Sequence, residues 1–155
     1  MRYARNTQVS TDRSIGEIRR VVERYGATSF VFGSSDGVGV VGFEIQKRAV
    51  RIRIPMPKAE EFKETPTGRG RDEYTIRLEV EKASRQRWRC LCLVVKAKLE
   101  AVESGISSVE NEFLANILVE GNRTVGEILK SKVAASYLGV GAPKLLEAFA
   151  GEKDD

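Results

Sequence analysis

Apolar positions recur along this chain with two periods, and the change from one to the other divides it. Ile15, Ile18, Val22 and Tyr25 fall three or four residues apart, the stripe of a helix, with Arg13, Arg20 and Arg24 on its other side. Ser14-Ile15-Gly16-Glu17 has capping-box spacing, which predicts a helix start at Ser14, and Gly26 supplies a left-handed stop. From Thr28 the period is two. Ser29-Phe30-Val31-Phe32 leads into the turn-forming cluster Gly33-Ser34-Ser35-Asp36-Gly37, Val38 to Ile45 reads as a second strand, and Gln46-Lys47-Arg48-Ala49 turns the chain again. Val50-Arg51-Ile52-Arg53-Ile54 then alternates without a fault, placing Arg51 and Arg53 on a solvent face, before Pro55 and Pro57 end the run. Gly39 and Gly42 inside the second strand predict either a bulge or a close approach by another group.

The helical period returns over residues 72–104, a stretch without Pro or internal Gly and rich in Glu, Lys, Arg, Leu and Ala. On a helical wheel Val80, Ser84, Trp88, Leu91, Val95 and Val102 share one face, and Lys82, Arg85, Arg89 and Lys96 share another. Cys90 to Val95 is apolar all the way round, which predicts a helix covered on several sides, with Trp88, Leu91 and Val95 buried against Val50, Ile52 and Ile54. Ser107-Ser108-Val109-Glu110 repeats the capping pattern and predicts a helix to about Leu118. A Glu120-Gly121-Asn122 turn follows, and Thr124-Val125-Gly126-Glu127 opens a last helix to about Leu138, broken by Gly139, Gly141 and Pro143. Leu145, Leu146 and Phe149 read as a final docking turn. The predicted fold is α+β: a three-stranded antiparallel meander packed on one long helix, with an N-terminal helix and two C-terminal helices. Residues 1–13 form a mobile arm, 14–150 a single domain with a flexible basic loop at 58–71, and 151–155 a charged tail.

Charge sharpens this picture. Residues 1–100 carry 21 Lys and Arg against 13 Asp and Glu, a balance of +8, whereas residues 101–155 carry 5 against 9, a balance of −4. That polarity suits a body that meets a polyanion and an end that does not. Histidine is absent, which excludes a Ser/His/Asp or Cys/His apparatus. The carboxylates at Glu60-Glu61 and Glu110/Glu112 sit in polar surroundings that keep them ionised, so no enzyme is expected. Cys90 and Cys92 point about 160° apart on a helix and cannot pair with each other. They read as reduced structural thiols, with no metal and no cofactor. Neither a signal peptide nor an apolar run of membrane-spanning length is visible, and a cytoplasmic location is expected.

Three neighbouring elements display cations: Lys47 and Arg48 in a turn, Arg51 and Arg53 on a strand, and Lys82, Arg85 and Arg89 along the long helix. Arg69 and Arg71 of Gly68-Arg69-Gly70-Arg71 add to them, although that loop matches neither a P-loop nor a dinucleotide fingerprint. Tracking a phosphate backbone requires such a set, and convergence of Arg51, Arg53, Arg85 and Arg89 on one groove is predicted. Trp88 reads as core, while Tyr3, Phe62 and Tyr74 lie in polar segments where they can stack on bases.

Arg24-Tyr25-Gly26-Ala27 with Phe30, Arg51 to Pro57, Arg87-Trp88-Arg89, Lys96 to Val102, Glu112-Phe113-Leu114-Ala115 and Thr124 to Glu127 resemble a family of small uncharacterised proteins of tailed phages and prophages. That resemblance implies a phage context in a host cytoplasm. In the order helix, meander, basic loop and long helix, the chain is also similar to the single-strand annealing proteins, the group that includes RecT and Red-beta. The likeness implies non-covalent binding of single-stranded DNA in replication or recombination, a positive groove between meander and long helix, and a homo-oligomer. The alternative is a protein-binding module, such as an inhibitor of a host defence or replication enzyme, whose basic face meets an acidic partner.

Overall fold

The first helix, α1 (Thr11–Arg24), begins where Ser10 is extended and its hydroxyl accepts the backbone N–H of Arg13 at 3.2 Å. The start predicted at Ser14 is therefore one turn late. Ser14 lies fully buried within the helix, and Glu17, the other half of its capping spacing, is engaged by the long helix instead. These elements belong to a computed structural model that describes residues 3–139 and 141–144. Gly26 has φ of +95° and lets the chain leave α1 as predicted.

Strands β1 (Ser29–Ser35), β2 (Val38–Ile45) and β3 (Arg48–Pro55) form an antiparallel sheet in the order β1-β2-β3. Both hairpins turn on two residues with positive φ, Asp36-Gly37 and Gln46-Lys47, the geometry whose twist matches that of paired strands. So tight a turn lengthens the strands: Gly33-Ser34-Ser35 belongs to β1, and Arg48 and Ala49 belong to β3 rather than to a turn. The register runs unbroken through Gly39 and Gly42, which settles the two options in favour of close approach. A Cβ on Gly39 would sit 3.0 Å from the Trp88 ring and 3.1 Å from Ile54 and Met56, and one on Gly42 would sit 2.9 Å from a Val31 methyl.

The long helix α2 (Glu73–Glu103) is capped by Asp72, whose carboxylate accepts the Thr75 N–H at 2.8 Å. Trp88, only 2 % exposed, joins Leu91 and Val95 in one core with Val41, Phe43, Val50 and Ile52 of the sheet and Ile15, Ile18 and Val22 of α1. The Tyr25 hydroxyl donates to Glu100 at 2.7 Å, and Glu17 meets Arg89 and Lys96, so α1 and α2 run in the same direction side by side on one face of the sheet. Coverage on every side of the α2 midpoint is corrected. The sheet and α1 occupy two sides, Cys90 is half-buried, and Leu93 and Val94 are exposed.

The next helix is shorter than predicted. After the Ser108 cap, α3 (Val109–Phe113) gives way to a 3-10 turn, Leu114–Asn116, because Phe113 is locked edge-on against Phe43 at 5.5 Å and Ile117 bridges Val50 at the edge of β3. A small hairpin, β4 (Leu118–Val119) and β5 (Arg123–Thr124), leads to α4 (Val125–Ser136). Both capping-box bonds of α4 form: Thr124 N–H to Glu127 at 2.8 Å and Glu127 N–H to the Thr124 hydroxyl at 3.2 Å. The docking turn expected at Leu145, Leu146 and Phe149, and the tail from Glu152, lie outside the described residues. The architecture is α+β, with a three-stranded antiparallel sheet, one long helix, an N-terminal helix and C-terminal helices. Among the described residues no helix is long and apolar enough to cross a membrane.

Candidate nucleic-acid interface

Alternation along β3 sends Val50 and Ile52 toward the helices and Arg51 and Arg53 to the opposite face of the sheet. There α4 meets them. Arg51, 14 % exposed at its side chain, donates to Glu127 at 3.0 Å and to the Asn122 carbonyl at 3.1 Å, and Arg53 lies 3.5 Å from the same carboxylate. The Thr124 N–H, aided by Arg51 and Arg53, holds the Glu127 carboxyl below its ordinary pKa. At the start of β3, Arg48 pairs with Glu110 at 3.3 Å. The strand cations thus bind the C-terminal segment to the sheet.

Convergence on a single groove is corrected by this arrangement. The space between meander and α2 is filled by Trp88 and its neighbours, and Arg51 and Arg53 are separated from Arg85 and Arg89 by the thickness of the sheet. Arg71 is engaged locally, donating to the carbonyls of Phe62 at 3.2 Å and Glu64 at 2.7 Å in the loop that begins with a 3-10 turn at Ala59–Phe62. Lys47 and Arg69 are exposed in two separate turns.

A different basic surface emerges where α1 and α2 lie side by side. Glu17 accepts from Arg89 and, at 3.0 Å, from Lys96. The Arg89 hydrogen bond first, then that of Lys96, pulls its carboxyl down to about 2 from 4.5. Because Glu17 touches both cations, its side of α1 faces their side of α2. Arg13 and Arg20 lie one turn before and after Glu17, with Arg24 a turn beyond, and Lys82 and Arg85 lie within two turns before Arg89. Two rows of cations therefore flank the seam where α1 packs on α2. Arg13, Arg20, Lys82 and Arg85 make no ion pair or side-chain hydrogen bond among the described residues, and the Arg85 Nε is buried without an acceptor.

At the N-terminal end of α2 this surface runs into a cleft of about 650 Å³ lined by Arg5, Phe62, Lys82 and Arg87 together with Glu61 and Glu79. Arg87 is already held there by Glu61 at 3.6 Å and by the Pro55 carbonyl. The preceding arm lies on α2, with the Tyr3 carbonyl accepting from Gln86 at 2.8 Å, and both Tyr3 and Tyr74 are exposed. Sequence reasoning included Lys82, Arg85 and Arg89 among the candidates but missed Arg5, Arg13 and Arg20. The seven-residue interval between Arg13 and Arg20 was the available signal, since it puts both on one side of a helix.

The surface offers cations without an ion pair among the described residues, and two exposed aromatic residues, Tyr3 and Tyr74, lie toward the N-terminal half of α2. Burial pushes the Cys92 thiol up, which keeps it protonated, and Cys90 is half-buried at the arm. Among the described residues no three Cys, Asp or Glu are grouped to hold a metal ion. The chain matches no family model, no curated protein and no solved structure.

Proposed function

We propose that this chain is a phage-type nucleic-acid-binding protein that acts in the host cytoplasm, binding single-stranded DNA during replication or recombination by non-covalent, annealing-type contacts. The cationic seam between α1 and α2 carries this reading. From Lys82 to Lys96 its α2 row spans roughly 20 Å, enough to follow several phosphates of an extended strand. Tyr3 and Tyr74, exposed near the same end of α2, favour a single strand over a duplex, because only unpaired bases present their faces to an aromatic ring.

An electrophoretic shift with single- and double-stranded oligonucleotides over a salt series tests this. Single-strand affinity should fall linearly on a log–log plot with a slope of about −0.7 per neutralised phosphate. Replacing Lys82 and Arg85 with Gln preserves helix propensity and reach, so the fold should persist while the slope shrinks by up to about 1.4. Absence of binding at low salt refutes the proposal. A protein-binding module, such as an inhibitor of a host enzyme, is then the better reading. It is favoured by α4, which exposes Leu129, Val133 and, just beyond its end, Tyr137 at successive helical turns.

A further inference from the structure

We infer that β1 is a self-pairing edge through which two copies of this chain form a two-fold dimer with one continuous antiparallel sheet. The closing pair of the first hairpin, Ser35 and Val38, exchanges both hydrogen bonds, and pairing alternates from there. Val31, Gly33 and Ser35 therefore turn their backbone groups toward β2, while Phe30, Phe32 and Ser34 turn theirs outward. None of those outward N–H or C=O groups meets a partner among the described residues. A row of unpaired donors and acceptors is satisfied in full by another extended strand.

The strand has none of the features that normally block such pairing. Residues 29–35 contain no charge, no Pro and no bulge, in a chain with 31 % charged residues. Val31 and Phe32 are 65 % and 61 % exposed. The other edge of the sheet is unlike it: β3 is bridged by Ile117, neighbours β4 and carries Arg48, Arg51 and Arg53. Head-to-tail pairing of β1 on β3 is thereby disfavoured, leaving the closed two-fold arrangement.

With the axis at Phe32, each Phe32 exchanges both backbone hydrogen bonds with its copy, and Phe30 does the same with Ser34 of the other chain. The two Phe32 rings then meet on the helix side of the sheet. Their exposure indicates that the helices do not overhang this part of β1. On the opposite side each Val31 faces a Gly33, around whose α-carbon there is open space for it. A seven-residue strand pair with these contacts falls near or below the roughly 1,200 Å² of small stable interfaces, so a dissociation constant in the micromolar range is expected.

Sedimentation equilibrium of the full chain across the micromolar range tests the inference without any nucleic acid. A monomer–dimer equilibrium is expected, with the Phe30, Phe32 and Ser34 amides gaining hydrogen-exchange protection as concentration rises. Phe32→Lys places like charges face to face on the axis, and Ser34→Pro removes an outward donor while sparing the ladder to β2. Each should yield a monomer with unchanged circular dichroism, and either one that folds is a sufficient test. A monomeric wild type throughout the range, or a dimer that survives the folded variant, overturns the proposal.

Discussion

Replacing Glu17 with Gln should make the protein less stable and a tighter binder of single strands, a combination that few other single changes produce. The carboxyl of Glu17 is lowered from 4.5 to about 2 by Arg89 and Lys96. At about 1.4 kcal/mol per pKa unit the full shift would correspond to roughly 3 kcal/mol, and screening at this partly exposed site reduces it to about 1–2 kcal/mol. A lowered folded-state pKa stabilises the protein above the unfolded value, so the difference between wild type and Glu17→Gln should be complete above pH 4.5. It should shrink as pH falls toward about 2. Urea titrations of both proteins between pH 3 and 7 read this directly. The same substitution releases Arg89 and Lys96 at the α1–α2 seam, and the single-strand salt slope should steepen by up to about 1.4. Equal stability at every pH would show that the triad contributes nothing. Unchanged affinity in a folded variant would show that DNA, if bound, lies elsewhere.

Trp88→Ala should destabilise the fold by about 3–5 kcal/mol in chemical denaturation, because it empties part of the core that packs α2 on the sheet. Gly39→Ala should lose about 1–3 kcal/mol in the same assay, since its Cβ meets Trp88, Ile54 and Met56 together. Thr124→Ala should cost about 1 kcal/mol and raise hydrogen exchange chiefly in the first turn of α4, where it removes the hydroxyl that caps Glu127.

Much of the architecture was legible wherever a local pattern and the tertiary contact demanded the same thing. The alternation from Val50 to Ile54, the helical stripe through Trp88, Leu91 and Val95, and the Thr124-Glu127 box all appear in the structure where they were expected. Failures occurred where one residue had two uses. Glu17 has the right spacing to cap Ser14, but an ion pair with two cations outcompetes a backbone N–H, and Ser10 is left to start the helix. The segment after Phe113 has no helix breaker before Gly121, yet its chain bends at Leu114 because Ile117 finds a hydrogen-bonding edge on β3 that no local window contains. The long helix shows the converse. A run that is apolar all round lacks enough neighbours to cover it, and Leu93 and Val94 stay exposed.

The site was harder to read than the fold because a cation's availability depends on which acid reaches it first. The excess of +8 over residues 1–100 and of −4 over residues 101–155 looked like a binding body with an indifferent end. In the folded chain those charges meet each other. Glu110 takes Arg48, Glu112 pairs with Lys98 at 3.6 Å, and Glu127 takes Arg51 and Arg53. The acidic segment thus pairs with the β3 cations and with Lys98 of the long helix, and the charge asymmetry serves partly to fasten the chain to itself. Of the cations beyond its reach on α1 and α2, Arg19, Arg87, Arg89 and Lys96 are taken by Glu23, Glu61 and Glu17, whereas Arg13, Arg20, Lys82 and Arg85 make no ion pair among the described residues. An arginine on a faultlessly alternating strand is conspicuous in a sequence, yet Arg13 and Arg20, unremarkable by pattern, are among those left exposed with no ion pair among the described residues.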